Sequence, residues 1–373
     1  MGRKASIFMM IITLSNVIFC GYCQTEQSAI AFPDPNLEAV IREAIDKPVG
    51  DICASELDGI GLLNADRRSI RDITGLEYCV NLKNLSLSGN EITDISPLSG
   101  LTNLTELDLT GNQITDVSSL SGLTSLTELN LRSNKITDVS ALSGLTGLTN
   151  LYLGYNQITD VSPLSGLTNL TELDLRYNRI TDVSLSGLTN LTELDLTGNK
   201  ITDVSALSGL TGLIKLDLRY NRITDVSLSG LNNLTELDLT GNQITDVSLS
   251  GLTSLTVLDL SSNQITDVSL SGLNNLTELN LRSNKITDVS ALSGLTGLTN
   301  LYLGYNQITD VSPLSGLTRL IWVDLDNNQI VDVSLLSGLT NLETLSLWGN
   351  EITDVSSLSR LYYLTVLDLS FYQ

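Results

Sequence analysis

The sequence has no histidine, two tryptophans, three methionines, four cysteines and six prolines in 373 residues, and aromatics make up only 5% of it. Without histidine there is no Ser-His-Asp triad, no imidazole ligand for zinc and no side chain that ordinarily titrates near neutrality. With so few aromatics a core must be aliphatic. Hydrophobic residues reach 42%, which is enough to build one and excludes wholesale disorder. Positive charge is also scarce: 20 Lys and Arg stand against 42 Asp and Glu, a net charge of −22. Such a chain repels phosphate backbones and anionic headgroups, so nucleic acid is not an expected partner.

The first 23 residues differ from the rest. Arg3 and Lys4 make a basic start, and residues 7–20 are mostly apolar but too short to span a bilayer, as is every other apolar run. This reads as a secretory signal peptide over 1–23, with lipid anchoring at Cys20 or Cys23 as the competing reading. The expected location is secreted or cell-surface. Two further cysteines, Cys53 and Cys79, either pair in an oxidising compartment or stay as buried free thiols acting as small hydrophobes.

Self-comparison supplies the organisation. Residues 79–360 form thirteen repeats of 22 or 21 residues, exemplified by LTNLTELDLTGNQITDVSSLSG at 101–122. The repeats starting at Leu167, Leu210, Leu231 and Leu252 lack one residue after the Val-Ser pair, and residues 127–168 recur unchanged at 277–318. The stretch around Leu107 and Leu109 alternates apolar and polar as a half-buried strand does. A unit of this length cannot bury its own leucines, but stacked on copies of itself it can, and the strands then form one long parallel sheet. A column of asparagines from Asn90 to Asn350 sits where the chain leaves the strand, where a buried amide can satisfy backbone groups the bend leaves unpaired. A second column, Asp116, Asp138, Asp160 and their equivalents, either caps short outer turns or forms a calcium-binding ladder.

The pattern LxxLxxLxLxxNxIxDVxxLxxL, repeated over about three quarters of the chain, resembles the leucine-rich repeat family, and closely its bacterial internalin-like class. The resemblance implies an α/β fold: a leucine-rich repeat solenoid shaped as a curved horseshoe, with the parallel β-sheet on the concave face and short 3₁₀ or irregular convex segments. It also implies a protein ligand on the strand face and a helical cap at the N-terminal end. The residues agree. Within 33–78, Asp34-Pro35 precedes Leu37, Val40, Ile41, Ala44 and Ile45 at helical spacing, and Ile60, Leu63, Ile70 and Ile73 form a degenerate first repeat. Residues 361–373 are an incomplete terminal repeat, with no polar closing domain and Tyr372 in the asparagine place. Truncation, shielding by Phe371 and Tyr372, or edge-to-edge self-association would each answer the open strand.

Strand positions facing away from the leucines are mostly Glu and Asp, so the expected binding face is acidic and suited to a cationic partner, or is acidic only for solubility. Two interruptions stand out. One contains Arg132, Tyr152, Tyr155, Arg176, Tyr177, Arg219 and Tyr220; the other contains Arg282, Tyr302, Tyr305, Trp322 and Trp348. Exposed Tyr, Trp and Arg dominate binding hot spots, which makes these the candidate ligand-binding residues. Against this, Tyr302 and Tyr305 copy Tyr152 and Tyr155 through the duplicated block. Serines and carboxylates all recur with the period, so no catalytic set, no metal site and no cofactor is expected. The reading is a protein-binding module, with an intracellular scaffold or a self-associating spacer as alternatives.

Overall fold

Leucines at fixed places in each repeat all point one way. In residues 101–122, Leu104, Leu107, Leu109, Ile114, Val117 and Leu120 are buried, and the polar residues between them face out. The computed structural model describes residues 29–249 and 251–370. Fifteen three-residue strands, one per coil from Leu62–Asn64 to Val366–Asp368, stack in chain order into a parallel sheet. Register is strict: Glu106 lies opposite Glu128, Leu107 opposite Leu129 and Asp108 opposite Asn130. The apolar side chains merge into one continuous core running the length of the array. This is the solenoid expected from the repeat, with the acidic strand face on the outside of the sheet.

The asparagine column behaves as expected. Asn112 Nδ2 donates to the carbonyls of Leu87 and Leu109, both at 3.0 Å, and its Oδ1 accepts from the Ile92 N–H at 3.0 Å. One amide therefore satisfies two carbonyls and an N–H on two adjacent coils. The residue just before each asparagine turns into the left-handed region: all thirteen have positive φ, as glycine at 89, 111, 198, 241 and 349, and as Ser, Tyr or Asn elsewhere.

The convex side departs from expectation in one respect. Most 22-residue repeats close with a 3₁₀ turn such as Ser140–Gly144. The four 21-residue repeats form none among the described residues, and in two of them Asp246–Ser248 and Asp267–Ser269 pair as a second parallel sheet. Removing one residue takes away the chain needed to close the turn. Neighbouring coils shortened alike then bring their Asp-Val-Ser segments into register. In the longer repeats, Asp116, Asp138 and Asp160 each accept the Ser N–H two residues on at 2.8 Å, so the carboxylates hold the turn from one residue before its N-cap valine.

The N-terminal cap is helical. The helix Pro35–Ala44 buries Leu37, Val40 and Ile41 against the first coil. Asp34 begins it, accepting from the Asn36 and Leu37 N–H groups at 2.9 and 3.3 Å, and its other oxygen accepts from Arg71 and Asp72 at 2.7 and 3.2 Å. One side chain thus caps the helix and ties it to the first coil.

The Cys53–Cys79 pairing does not form. Cys79 is a free thiol at the leading leucine position of its coil, fully buried, with burial first and Glu77 second pushing its pKa up to about 12. There it serves as a small core hydrophobe. Cys53 is disulfide-bonded, and its partner lies outside the described residues. The expected signal peptide, Cys20, Cys23, Phe371 and Tyr372 also lie outside them. No described helix is long and apolar enough to cross a membrane.

Candidate functional site

In-register stacking turns the sequence's Glu and Asp columns into ladders of like charge. Asp174, Asp195, Asp217, Asp238 and Asp259 occupy one row, each opposite the next. Burial, followed by the neighbouring carboxylates, pushes Asp195 and Asp238 above the ordinary carboxylate range, although Thr197 and Thr240 donate to them. Glu128 is raised in the same way, by burial and then by Glu106, Glu172 and Asp108. The concave face is therefore a surface on which negative charge is crowded.

The first interruption assembles only in part. Arg132 lies over the Tyr152 ring at 4.3 Å and reaches across that coil to Asp174, Nε to Oδ2 at 2.5 Å. Arg176 pairs with the same carboxylate at 3.1 Å, and Tyr155 stacks on Tyr177 with ring centroids 4.7 Å apart. Asp174 is only 3% exposed beneath these groups. Arg219 and Tyr220 do not join them. Arg219 pairs with Asp217 at 2.6 Å and Asp238 at 3.5 Å, and Tyr220 lies over Gly241, where a Cβ would come within 2.6 Å of its ring.

The second interruption is rearranged although its leading coils are identical in sequence. Arg282 again reaches two coils along, to Asp324, but it lies over Tyr305 at 4.5 Å rather than over Tyr302. Tyr302 instead meets Trp322, and Tyr305 meets Trp348, both with ring centroids 6.4 Å apart. Trp322 is exposed, whereas Trp348 is half-buried, so only one of the two tryptophans has the exposure expected of it. The arginines of both groups are partly buried and ion-paired, where free surface cations were expected.

Two features escaped sequence reasoning. Asp174 and Asp324 stood in the row of exposed acids, yet both are buried anchors for an arginine 42 residues earlier. That spacing of two coils carries no local signal. Tyr155, Tyr177, Tyr220 and Tyr305 all occupy the left-handed position, with φ of 59°, 51°, 55° and 56°. The five glycines in the same column were the available clue.

The family described as Leucine Rich repeats (2 copies) matches successive pairs of coils at residues 80–122, 124–166, 168–209 and 211–252, and then overlapping pairs from 232–275 to 318–360. Among solved structures, an internalin (inlF) from Listeria monocytogenes is 37% identical, covering 94% of this chain and 100% of its own, with a TM-score of 0.76. A leucine-rich repeat protein from Leptospira interrogans is 29% identical over 84% of this chain and 85% of its own, with a TM-score of 0.78. The functional domain of InlJ from Listeria monocytogenes, which includes a cysteine ladder, is 30% identical over 91% and 81%, with a TM-score of 0.74. No curated protein matches the chain.

Proposed function

The chain belongs to the leucine-rich repeat family, in its internalin-like class, and from that premise we propose that it is an exported, non-catalytic module that binds a protein ligand on its strand face. One observation carries the reading. Four tyrosines are held in a backbone conformation that costs a non-glycine residue roughly 1–2 kcal/mol, in a column where glycine serves five times. Three of them, Tyr155, Tyr177 and Tyr305, stand against Arg or a second aromatic ring, in the composition of a binding hot spot. Export is supported by the basic and apolar N-terminal stretch.

The test is crosslinking of the purified chain to its native surroundings, followed by mass spectrometry of captured proteins. Trp322→Ala with Trp348→Ala is expected to lower capture of the bound protein about tenfold or more while the circular dichroism melt is preserved. Undiminished capture by the double variant would remove the second aromatic group from the contact surface.

A further inference from the structure

The array carries an internal control for its own surface. Residues 127–168 and 277–318 are identical, so both groups start from the same Arg, two Tyr and Gly. They differ in the coils that follow: Glu172 is replaced by Trp322, Arg176 by Asp326 and Tyr177 by Asn327. The consequences run in one direction. In the first group Glu172 accepts from the Tyr152 hydroxyl at 3.0 Å, and two arginines converge on Asp174. The arginines there are paired with carboxylates, and the adjoining hollow of 280 Å³ is lined almost wholly by charged residues, four of them cationic. In the second group Arg282 has moved onto Tyr305, which leaves the Tyr302 ring for Trp322. A hollow of 490 Å³ opens between these rings and the coils beyond, lined by Tyr302, Trp322, Asp324, Asp326 and Asp368.

Charge in this second hollow is unmatched. Arg282, the one lining cation among the described residues, is already bound to Asp324. Among the described residues Asp326 accepts only from neutral donors, the Ser346 hydroxyl and the Trp348 backbone N–H, and Asp368 only from Ser370. Two carboxylates therefore face an aromatic wall with no cation of their own among the described residues. An aromatic face with nearby carboxylates and room for a side chain favours an organic cation, because the ring quadrupole and the anions attract it together.

We propose that the hollow between Trp322, Tyr302, Asp326 and Asp368 is a receptor for one cationic side chain, arginine or lysine, of the protein ligand. This rests on the binding reading above and deepens it. The acidic rows bring a basic partner toward the face, and the second hollow holds one of its cations in place, whereas the first has closed the same position by supplying Arg176 itself.

Trp322 and Trp348 are the only tryptophans, so ¹⁵N-labelled protein gives two indole signals, assigned with Trp348→Phe. Arginine amide is titrated against citrulline amide, its uncharged isostere. A saturable shift of the Trp322 signal is expected with a dissociation constant of about 1–10 mM, the scale open to one small side chain. Citrulline amide is expected to bind roughly threefold to tenfold more weakly. Asp326→Arg, which installs the residue of the first group, should abolish the arginine shift. Asp326→Asn, which keeps the acceptor for Ser346, should weaken it severalfold. Equal shifts from the two amides, no saturation by about 50 mM, or indifference to Asp326→Arg would each overturn the proposal. Because no partner is needed, failure here is separable from failure of protein capture: amide binding with capture undiminished in the double variant would show a cation site that the captured protein does not use, and would overturn its assignment to the ligand.

Discussion

At the scale of single residues, the position before each asparagine decides what the face can carry. The chain must leave the strand in a left-handed turn, and glycine meets that requirement without strain. Each tyrosine there gives up stability for an exposed ring, and the ring then needs space over the next coil. Gly198 and Gly241 supply it: a Cβ at either would come within 2.6 Å of the Tyr177 or Tyr220 ring. A direct check separates backbone from side chain. Tyr220→Gly and Tyr220→Ala both delete the ring, but only glycine fits φ of 55° without strain. The glycine variant should be more stable than the alanine variant by about 1 kcal/mol in urea denaturation, the reverse of the usual order. Equal stabilities would mean that the turn is not left-handed. The rings themselves were legible from the sequence. Their backbone strain was legible only as a column mixing glycine with tyrosine, and the arginine anchors at Asp174 and Asp324 were not legible, because nothing local links residues two coils apart.

At the scale of elements, the sequence was most informative where its period faltered. The four repeats shortened by one residue are the four that show no 3₁₀ turn among the described residues, so a deletion visible in the letters became a change of convex structure. That two of them pair as strands could not be read, since pairing depends on both neighbours adopting the same extended path. The cap was legible from Asp34-Pro35 and the apolar spacing, but the reach of Asp34 to the first coil was not. Its four N–H donors come from two places 34 residues apart or more, and they outweigh the burial that would otherwise raise its pKa, so the carboxyl is held below its usual value. Asp34→Ala should therefore cost about 2 kcal/mol, the upper end for a helix cap. Hydrogen exchange should show the loss first in the helix Pro35–Ala44 and at Arg71 and Asp72. Protection unchanged at Arg71 would show that the tie to the first coil carries no weight.

At the scale of the whole molecule, a net charge of −22 laid out in register makes stability depend on protons in two opposite ways. Glu128, Asp195, Asp238 and Asp324 have folded pKa values above their ordinary ones, all with burial as the leading cause. The native state then holds more protons than the unfolded state in the window above the ordinary carboxylate range, so their contribution improves as pH falls through the folded values. Asp34 and the turn-holding Asp138, Asp160, Asp203, Asp332 and Asp354 are shifted down. Their contribution is present above the ordinary value of 3.8 and is lost as pH falls through the depressed values. The two windows do not overlap, which places maximum stability in mild acid. The melting temperature at about pH 5 and low salt should exceed that at about pH 7.5 by roughly 1–2 °C, about 1 kcal/mol for a chain of this size, with added salt at the higher pH recovering part of the difference. Asp195→Asn with Asp238→Asn, which keeps an acceptor for Thr197 and Thr240, should raise the melting temperature at the higher pH and flatten the profile. A melting temperature that falls steadily from neutrality downward would show that the ladders cost nothing. If instead the protons stabilise, a bound cation on the same face must do so by the same electrostatics, and the gain from a basic ligand should shrink in the Asp195→Asn, Asp238→Asn variant.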